Sequence, residues 1–519
     1  MSTIATTTED AATNTPAASI ARLLDRRAIF LLTLVAAAVI YAQFQFWKSP
    51  TRGDRANWDY MAQIIATGGV PYRDAVNIKT PLSAYISAAA IVAARPFGVE
   101  DVAAIRGIYF ALAVLTVGFT FLVAVQYFSR RWVGVLAVTV LLAFDAFATL
   151  NCGTQPKTPM VLGGLMTLWA IKRDRPFEAG VYGMLSALSW QPGLLFVGVA
   201  GLAFSRYLTS WRDLKVVKLL AGAALPLLIF VGYFAIVGAL NDFFVWTLHF
   251  NYSVYGPREM RSVSGFVTRF AELLNGPYRQ ERIYFIFAAL GAVIVFAEHV
   301  WSTRGKIARW VEDAPSHAIW IAPLVYFAFC AVDIQWHADF LPFMPFVGIF
   351  AAVAFYSIIK AAVARLKRFA PQLVTSRVEY PAFALLLAAV FLGNVGDAFS
   401  FNRGFPTLQD QYVGIKEMTA FLEPGDKVFA HGRTEVLVVS KMRNASKYFF
   451  LDRGKDQYLD EIEPGGFKGW FERLKAERPR IVALGRLRMV DHAKDLRQWM
   501  EADYRRYQGS AFEFYVRRD

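Results

Sequence analysis

The sequence predicts a polytopic α-helical membrane protein of about eleven crossings, ending in a small extracytoplasmic α/β domain. Three observations predict it. The 519-residue chain is 56% hydrophobic and only 18% charged, against roughly 25% charged for soluble domains, so a surplus of apolar surface is left to face lipid. Apolar runs of about 18 residues or more, enough for a helix to cross hydrocarbon roughly 30 Å thick, recur along it. Beyond residue 400 the chain turns polar and alternates helical with strand-like patterns.

Residues 1–27, rich in Thr, Ala and Ser, read as a disordered cytoplasmic tail. Ala28–Trp47 is of span length without a convincing cleavage site, so it is expected to remain as the first crossing. A loop follows from Lys48 to Arg106, within which Asn57–Thr67 and Leu82–Ala94 read as short half-buried helices. Gly107–Phe128 and Trp132–Leu150 form a hairpin closed by Ser129-Arg130-Arg131, and Thr158–Ile171 ends in Lys172-Arg173-Asp174-Arg175. Glu178–Phe204 is too long for one span and breaks at Gln191-Pro192-Gly193 into two short helices. The remaining spans are Leu219–Leu240, Ile283–Trp301, Ala318–Val332, Phe340–Ile359 and Pro381–Phe399, which completes a membrane domain over 28–400.

Charge placement orients these spans. With Arg22, Arg26 and Arg27 inside, the clusters Arg130/Arg131, Lys172/Arg173/Arg175, Arg206–Lys218, Arg304–Arg309 and Lys360–Arg377 fall on the same side, provided Glu178–Phe204 crosses twice. The formal charge of +14 therefore reads as topology signal and not as a nucleic-acid surface. The same count leaves two segments outside the cytoplasm, the loop Lys48–Arg106 and the tail 401–519. In the tail, Asp426–Ala430 and Arg480–Leu484 read as buried strands around an amphipathic helix at Phe467–Arg478. Cys152 and Cys330 match no metal-ligand spacing, and there is no Gly-rich phosphate loop and no internal repeat.

The first loop carries three short stretches: Gly53-Asp54-Arg55, then Pro71-Tyr72-Arg73-Asp74, then Lys79-Thr80-Pro81-Leu82. Their order and position resemble the GT-C superfamily of membrane glycosyltransferases, in the branch of protein O-mannosyltransferases and lipid A aminoarabinose transferases. Trp336-His337-Ala338-Asp339-Phe340 resembles the segment opening a late span there, and Pro424–Val428 and Pro479–Val482 resemble the outer domain of bacterial members. The resemblance implies a GT-C-like fold in a bacterial inner membrane. It also implies transfer of a sugar from a polyprenyl-phosphate donor to a glycolipid, glycan or protein acceptor on the outer face. Asp54 falls on the catalytic acid position, as the base that takes the acceptor's proton. Lys79, with Arg73 beside it, falls where cations stabilise the departing lipid phosphate. Asp74 either orients those cations or acts as a second acid, and Tyr72 sits in the same stretch.

One departure stands out. Relatives place a second carboxylate between spans three and four, and here that loop, Asn151–Lys157, offers Lys157 at that position. Either Lys157 joins the phosphate site, with Gln155 beside it, or Asp145 supplies the acid, or the second carboxylate is dispensable, or the donor chemistry is altered. The plain alternatives are a helix-capping role for Asp54 and an interfacial, snorkelling Lys79. His337 with Asp339 lacks a third ligand, so an interfacial histidine is expected, with no metal and no cofactor. The rival functional classes are a transporter or lipid flippase, and an inactive transferase-like subunit. A single broken helix pair without two matching halves argues against the transporter. The sugar and the acceptor are not written in the residues.

Overall fold

The computed structural model describes residues 26–43, 48–151, 153–205, 207, 214–256, 262–303, 313–332, 334, 336–369, 382–387, 389–390, 406–485 and 487–518. Most of the expected tail 1–27, most of the expected span Pro381–Phe399, and Cys152 lie outside them.

The first apolar run forms α1 (Arg26–Gln43). The loop after it holds α2 (Gly53–Ala66) and α3 (Leu82–Ala94), close to the two short helices expected there. The next helix, α4 (Asp101–Phe128), begins six residues before the expected Gly107. Asp101 sets that start: it sits in the first turn, where a carboxylate suits the helix dipole, and receives Arg95 and the Gln63 amide. The expected single arm Trp132–Leu150 is broken into α5 (Arg131–Leu142) and α6 (Asp145–Leu150). Phe144, extended at the break, turns its ring against Tyr284 and Phe285, each with centroids 5.8 Å away. Burial of that ring outweighs helix continuity.

Then come α7 (Lys157–Lys172), α8 (Pro176–Ser189), α9 (Leu194–Phe204) and α10 (Lys215–Ile236). The break between α8 and α9 falls at Gln191–Gly193, as the proline and glycine predict. After α10 the structure adds what the sequence reading left as loop. A short α11 (Leu240–Phe244) runs into two π-helical turns, Val245–His249 and Asn251–Tyr255, and α12 (Val263–Asn275) follows. The later helices are α13 (Arg282–Thr303), α14 (Ala314–Val332) and α15 (Met344–Phe369), the last preceded by a 3₁₀ segment His337–Phe343.

Five helical segments among the described residues are long and apolar enough to cross a membrane: Asp101–Phe128, Lys215–Ile236, Arg282–Trp301, Ala314–Val332 and His337–Phe369. Ile29–Ala42, Leu82–Phe97, Arg131–Leu142 and Gln191–Phe204 are apolar but shorter. Leu228, Ile229, Ile286 and Val293 are more than 60% exposed, which an apolar side chain tolerates when its surroundings are lipid. The molecule is a membrane protein.

Beyond residue 406 the chain forms α16 (Leu408–Thr419), β1 (Val428–His431), α17 (Glu435–Ser440), α18 (Lys455–Ile462), α19 (Gly466–Ala476), β2 (Ile481–Leu484), α20 (Ala493–Asp503), β3 (Tyr504–Gln508) and β4 (Glu513–Arg517). The sheet order is β1-β2-β4-β3, with β1 and β2 parallel and the β3–β4 hairpin antiparallel to β2. The hairpin was not anticipated from sequence.

This C-terminal part packs directly on the first loop. Ala56, Tyr60, Met61 and Ile64 of α2 share a core with Val428, Val436 and Phe514, while Tyr72 and Val76 share another with Trp246, Tyr448 and Trp470. Buried polar bonds fix the register between them. The Thr434 hydroxyl donates to Asn57 Oδ1 (2.5 Å), the Gln63 amide to the Val438 carbonyl (3.0 Å), and the Asn444 N–H to the Tyr60 hydroxyl (2.9 Å). Gln411 exchanges two bonds with the backbone of Thr51.

In the membrane part α8 and α10 approach most closely at a pair of glycines. A Cβ at Gly180 would lie 2.1 Å from the Leu219 carbonyl oxygen, and one at Gly222 2.1 Å from that of Phe177, the small-residue contact that lets helix backbones meet. Gly180→Val is expected to lower the unfolding midpoint of the detergent-purified protein by the equivalent of about 1–3 kcal/mol. Gly232→Val, on the same α10 with nothing within 4 Å of its Cβ position, should leave it unchanged; equal midpoints for the two variants would refute the crossing.

Candidate active site between the first loop and the C-terminal sheet

A cavity of about 980 Å³ opens where the first loop, the ends of the membrane helices and the C-terminal sheet meet. The first loop contributes Arg52, Asp54, Arg55 and Lys79; the membrane helices contribute Gln155, Lys157, Trp190, Tyr255, Arg269, His337 and Asp339; the C-terminal part contributes Arg433, Glu435, Arg453, Lys455 and Arg488. Among the described residues, nine cationic side chains thus face three carboxylates, Asp54, Asp339 and Glu435.

Asp54 lies in the first turn of α2, exposed to the cavity at the positive end of the helix dipole. Five residues further, Asp59 points the other way and is 1% exposed. It accepts the Thr51 hydroxyl (2.9 Å) and the Thr154 N–H (3.3 Å), and burial, only partly offset by those bonds, raises its pKa. Asp59 therefore locks the start of α2 to the 151–157 segment. Arg55 adds a bond to the Thr149 carbonyl (3.1 Å).

Lys79 is presented by a loop in which its own carbonyl and that of Ile78 are clamped. Gln191 and Asn251 both donate to the Ile78 carbonyl, at 2.7 and 2.8 Å, and the Tyr72 hydroxyl donates to that of Lys79 (2.7 Å). Tyr72 itself has φ 72° and is buried between Phe234 and Phe243, so its part is to position Lys79. The Lys79 Nζ stands 5.3 Å from the Trp190 ring centroid and 5.6 Å from that of Tyr255. Lys157 reaches the same indole, its Nζ 4.5 Å from the centroid. Trp190 comes from the break between α8 and α9, and Tyr255 and Asn251 from the second π-helical turn.

The departure at Lys157 has a structural counterpart. Its Nζ is 3.0 Å from Asp339 Oδ1, with both side chains nearly buried. Asp339 Oδ2 meanwhile accepts the Trp336 N–H (2.9 Å) at the start of the 3₁₀ segment. A carboxylate is thus present beside the 151–157 loop, supplied from across the cavity. The spacing Trp336-x-x-Asp339 ahead of an apolar run is a capping signal that sequence reading can find; its lysine partner is not visible there.

The other expected residues divide. Gln155 and His337 line the cavity, the His337 carbonyl receiving the Tyr278 hydroxyl (2.5 Å). Arg73, Asp74 and Asp145 do not line it. Asp74 pairs with Arg73 (2.9 Å), which holds its carboxyl below the usual range, and also accepts the Val70 N–H (2.7 Å). Arg73 donates to the Val237 carbonyl (3.0 Å). Asp145 occupies the first turn of α6.

No protein-family model and no curated protein sequence matches the chain. Solved structures do. ArnT from Cupriavidus metallidurans bound to undecaprenyl phosphate aligns with a TM-score of 0.61 at 12% identity, over 95% of this chain and 98% of that one. The same protein in the apo state gives 0.60 at 13% identity, over 94% and 98%. The archaeal oligosaccharyltransferase AglB from Archaeoglobus fulgidus, in complex with an inhibitory peptide and a dolichol-phosphate, gives 0.55 at 12%, over 95% of this chain and 75% of that one. The chain shares the fold of these solved structures along nearly its whole length, a likeness of fold alone that agrees with the fold expected from the first-loop motifs.

The Lys157–Asp339 pair yields a test. Asp339→Asn leaves a nearly buried ammonium without its counter-charge and is expected to lower stability by about 1–3 kcal/mol. Combining it with Lys157→Met should restore most of that loss in thermal unfolding. Additive losses would mean that the pair does not couple.

Proposed function

We propose that the protein is a membrane glycosyltransferase that moves a sugar from a polyprenyl-phosphate carrier to an acceptor hydroxyl on the extracytoplasmic face of a bacterial inner membrane. The observation that carries this reading is the cavity itself: an exposed carboxylate, Asp54, shares it with a surplus of cations, two of which, Lys79 and Lys157, flank one indole. The solved relatives bound to undecaprenyl phosphate or dolichol-phosphate support the choice of donor class. In this reading the chain crosses the membrane about eleven times, as the basic clusters require, and residues 401–519 lie outside the cytoplasm. The acceptor is a glycolipid, a glycan or a protein.

The chemistry is a displacement at the sugar's anomeric carbon. The acceptor oxygen forms the new bond while its proton passes to the Asp54 carboxylate. The bond from the anomeric carbon to the phosphate oxygen breaks, and its electron pair leaves with the lipid phosphate. Lys79 and Lys157 balance the charge gathering on that phosphate, and Trp190 holds both ammoniums in place through their cation–π contacts. Asp339 orients Lys157, so it is a positioning residue. Arg73 and Asp74 act at one remove, bracing the loop that ends in Lys79.

The test uses purified protein with labelled polyprenyl-phosphate sugar. Asp54→Asn should lower turnover, including donor hydrolysis, by about 10²–10⁴-fold, the range lost with a general base. Lys79→Gln should lower it by about 10²-fold. Turnover equal to wild type in Asp54→Asn would remove the base from this site, and no turnover by the wild type with any such donor would favour a transporter or an inactive subunit.

A further inference from the structure

The parallel strands β1 and β2 pair from Val428↔Ile481 to His431↔Leu484, so both end at the same edge of the sheet. Among the residues leaving those ends, Gly432 and Arg433 after β1 and Gly485 and Arg488 after β2 line the cavity. In α/β units the space outside the carboxyl ends of parallel strands is where ligands bind. The two exits are pressed together. The Gly485 N–H donates to the His431 carbonyl (2.7 Å), and a Cβ at Gly485 would lie 2.8 Å from the Gly432 oxygen. A third loop docks beside them, its Arg453 N–H donating to the Met489 carbonyl (3.2 Å). Behind it Lys455, 2% exposed, is paired with Asp452 (3.2 Å).

This edge therefore presents Arg433, Arg453 and Arg488 at the cavity, with Lys455 behind them. Among the described residues, Arg433 Nε is buried without a hydrogen-bond partner, and its Nη1 lies 3.6 Å from Glu435, a long contact. Glu435 is the only carboxylate that the C-terminal part contributes to the lining described. Lys79, Lys157 and Trp190 belong to a different part of the chain. A carrier with one phosphodiester brings one negative charge, which Lys79 and Lys157 already meet. At the strand ends two guanidiniums, Arg433 and Arg488, face the single carboxylate of Glu435.

We infer that the carboxyl edge of the β1–β2 pair is a second anion subsite, and that it holds a phosphate or carboxylate carried by the acceptor. The inference rests on reading the cavity as a sugar-transfer site for its orientation, donor toward the membrane helices and acceptor toward the sheet. Guanidinium forks suit such oxyanions because they donate two parallel bonds.

The experiment follows the unfolding midpoint of the full-length protein with two probes, undecaprenyl phosphate and inorganic phosphate. With undecaprenyl phosphate saturating, inorganic phosphate should raise the midpoint further. Arg433→Gln and Arg488→Gln, both at partly exposed side chains, should each weaken the phosphate response about tenfold, the loss of one charge-assisted bond. Their affinity for undecaprenyl phosphate should stay within about twofold, while Lys79→Gln should show the reverse pattern. A phosphate response that is missing with the lipid bound, or that survives both arginine substitutions, overturns the subsite. Failure of undecaprenyl phosphate to bind, with the arginine-dependent response intact, would sink the donor reading and leave the subsite standing. Replacing undecaprenyl phosphate by undecaprenyl diphosphate separates the two sources. A response that persists assigns the subsite to the acceptor, and one that disappears assigns it to the donor and overturns the acceptor part.

Discussion

The buried carboxylate of Asp59 is the interaction on which the cavity depends. It joins Thr51, just ahead of α2, to Thr154 in the segment before α7, and so holds the first loop against the membrane helices. Four residues along the same helix, Gln63 donates both to Asp101 and to the Val438 carbonyl, tying that loop to α4 and to the C-terminal part at once. Each such bond contributes about 1 kcal/mol net, but leaving one of these groups unpaired costs about 1–3 kcal/mol. The first loop is therefore held on both sides, and Asp54 at its tip inherits a fixed position.

The electrostatics follow from that rigidity. Like charges gathered round one cavity repel, and exposed, mobile side chains would splay into water. Here the positions of the cations are set by other means. Lys157 is paired with Asp339 and Lys455 with Asp452. Lys79 is held by the clamped carbonyls of its own loop and by two aromatic rings. Fixed charges of this kind need no reorganisation when a phosphate gains charge, which is why preorganised donors stabilise transition states better than solvent does. The π-helical turns at 245–255 serve the same end, because their extra residue per turn delivers Asn251 to the Ile78 carbonyl and Tyr255 to the Lys79 ammonium.

Several elements were legible in the sequence because their signals are local. The span-length apolar runs, the Pro-Gly break at 191–193 and the two short helices of the first loop all follow from periodicity and breakers read over a dozen residues. The break at Phe144 was not legible, since nothing in Thr139–Leu150 forbids a helix. It arises from aromatic partners more than a hundred residues away, Tyr278, Tyr284 and Phe285. The β3–β4 hairpin was missed for a related reason. Tyr504–Gln508 carries two adjacent exposed arginines, which breaks the alternation of a half-buried strand, and gains its strand character from pairing with Glu513–Arg517.

By itself the sequence determined that the chain is a membrane protein, which residue types the first loop carries, and that a helix must break at Gln191–Gly193. These depend on composition, on residues close in the chain, and on motifs that are contiguous. Only the tertiary structure decided which charges face one another: that Lys157 meets Asp339, that Asp74 turns to Arg73 outside the cavity, and that the ends of β1 and β2 complete the lining with arginines. The physical reason is that a charge acts over a few ångströms of space, whereas these partners lie one neighbour to nearly two hundred residues apart along the chain. Spacing in sequence carries no record of that distance until the helices pack.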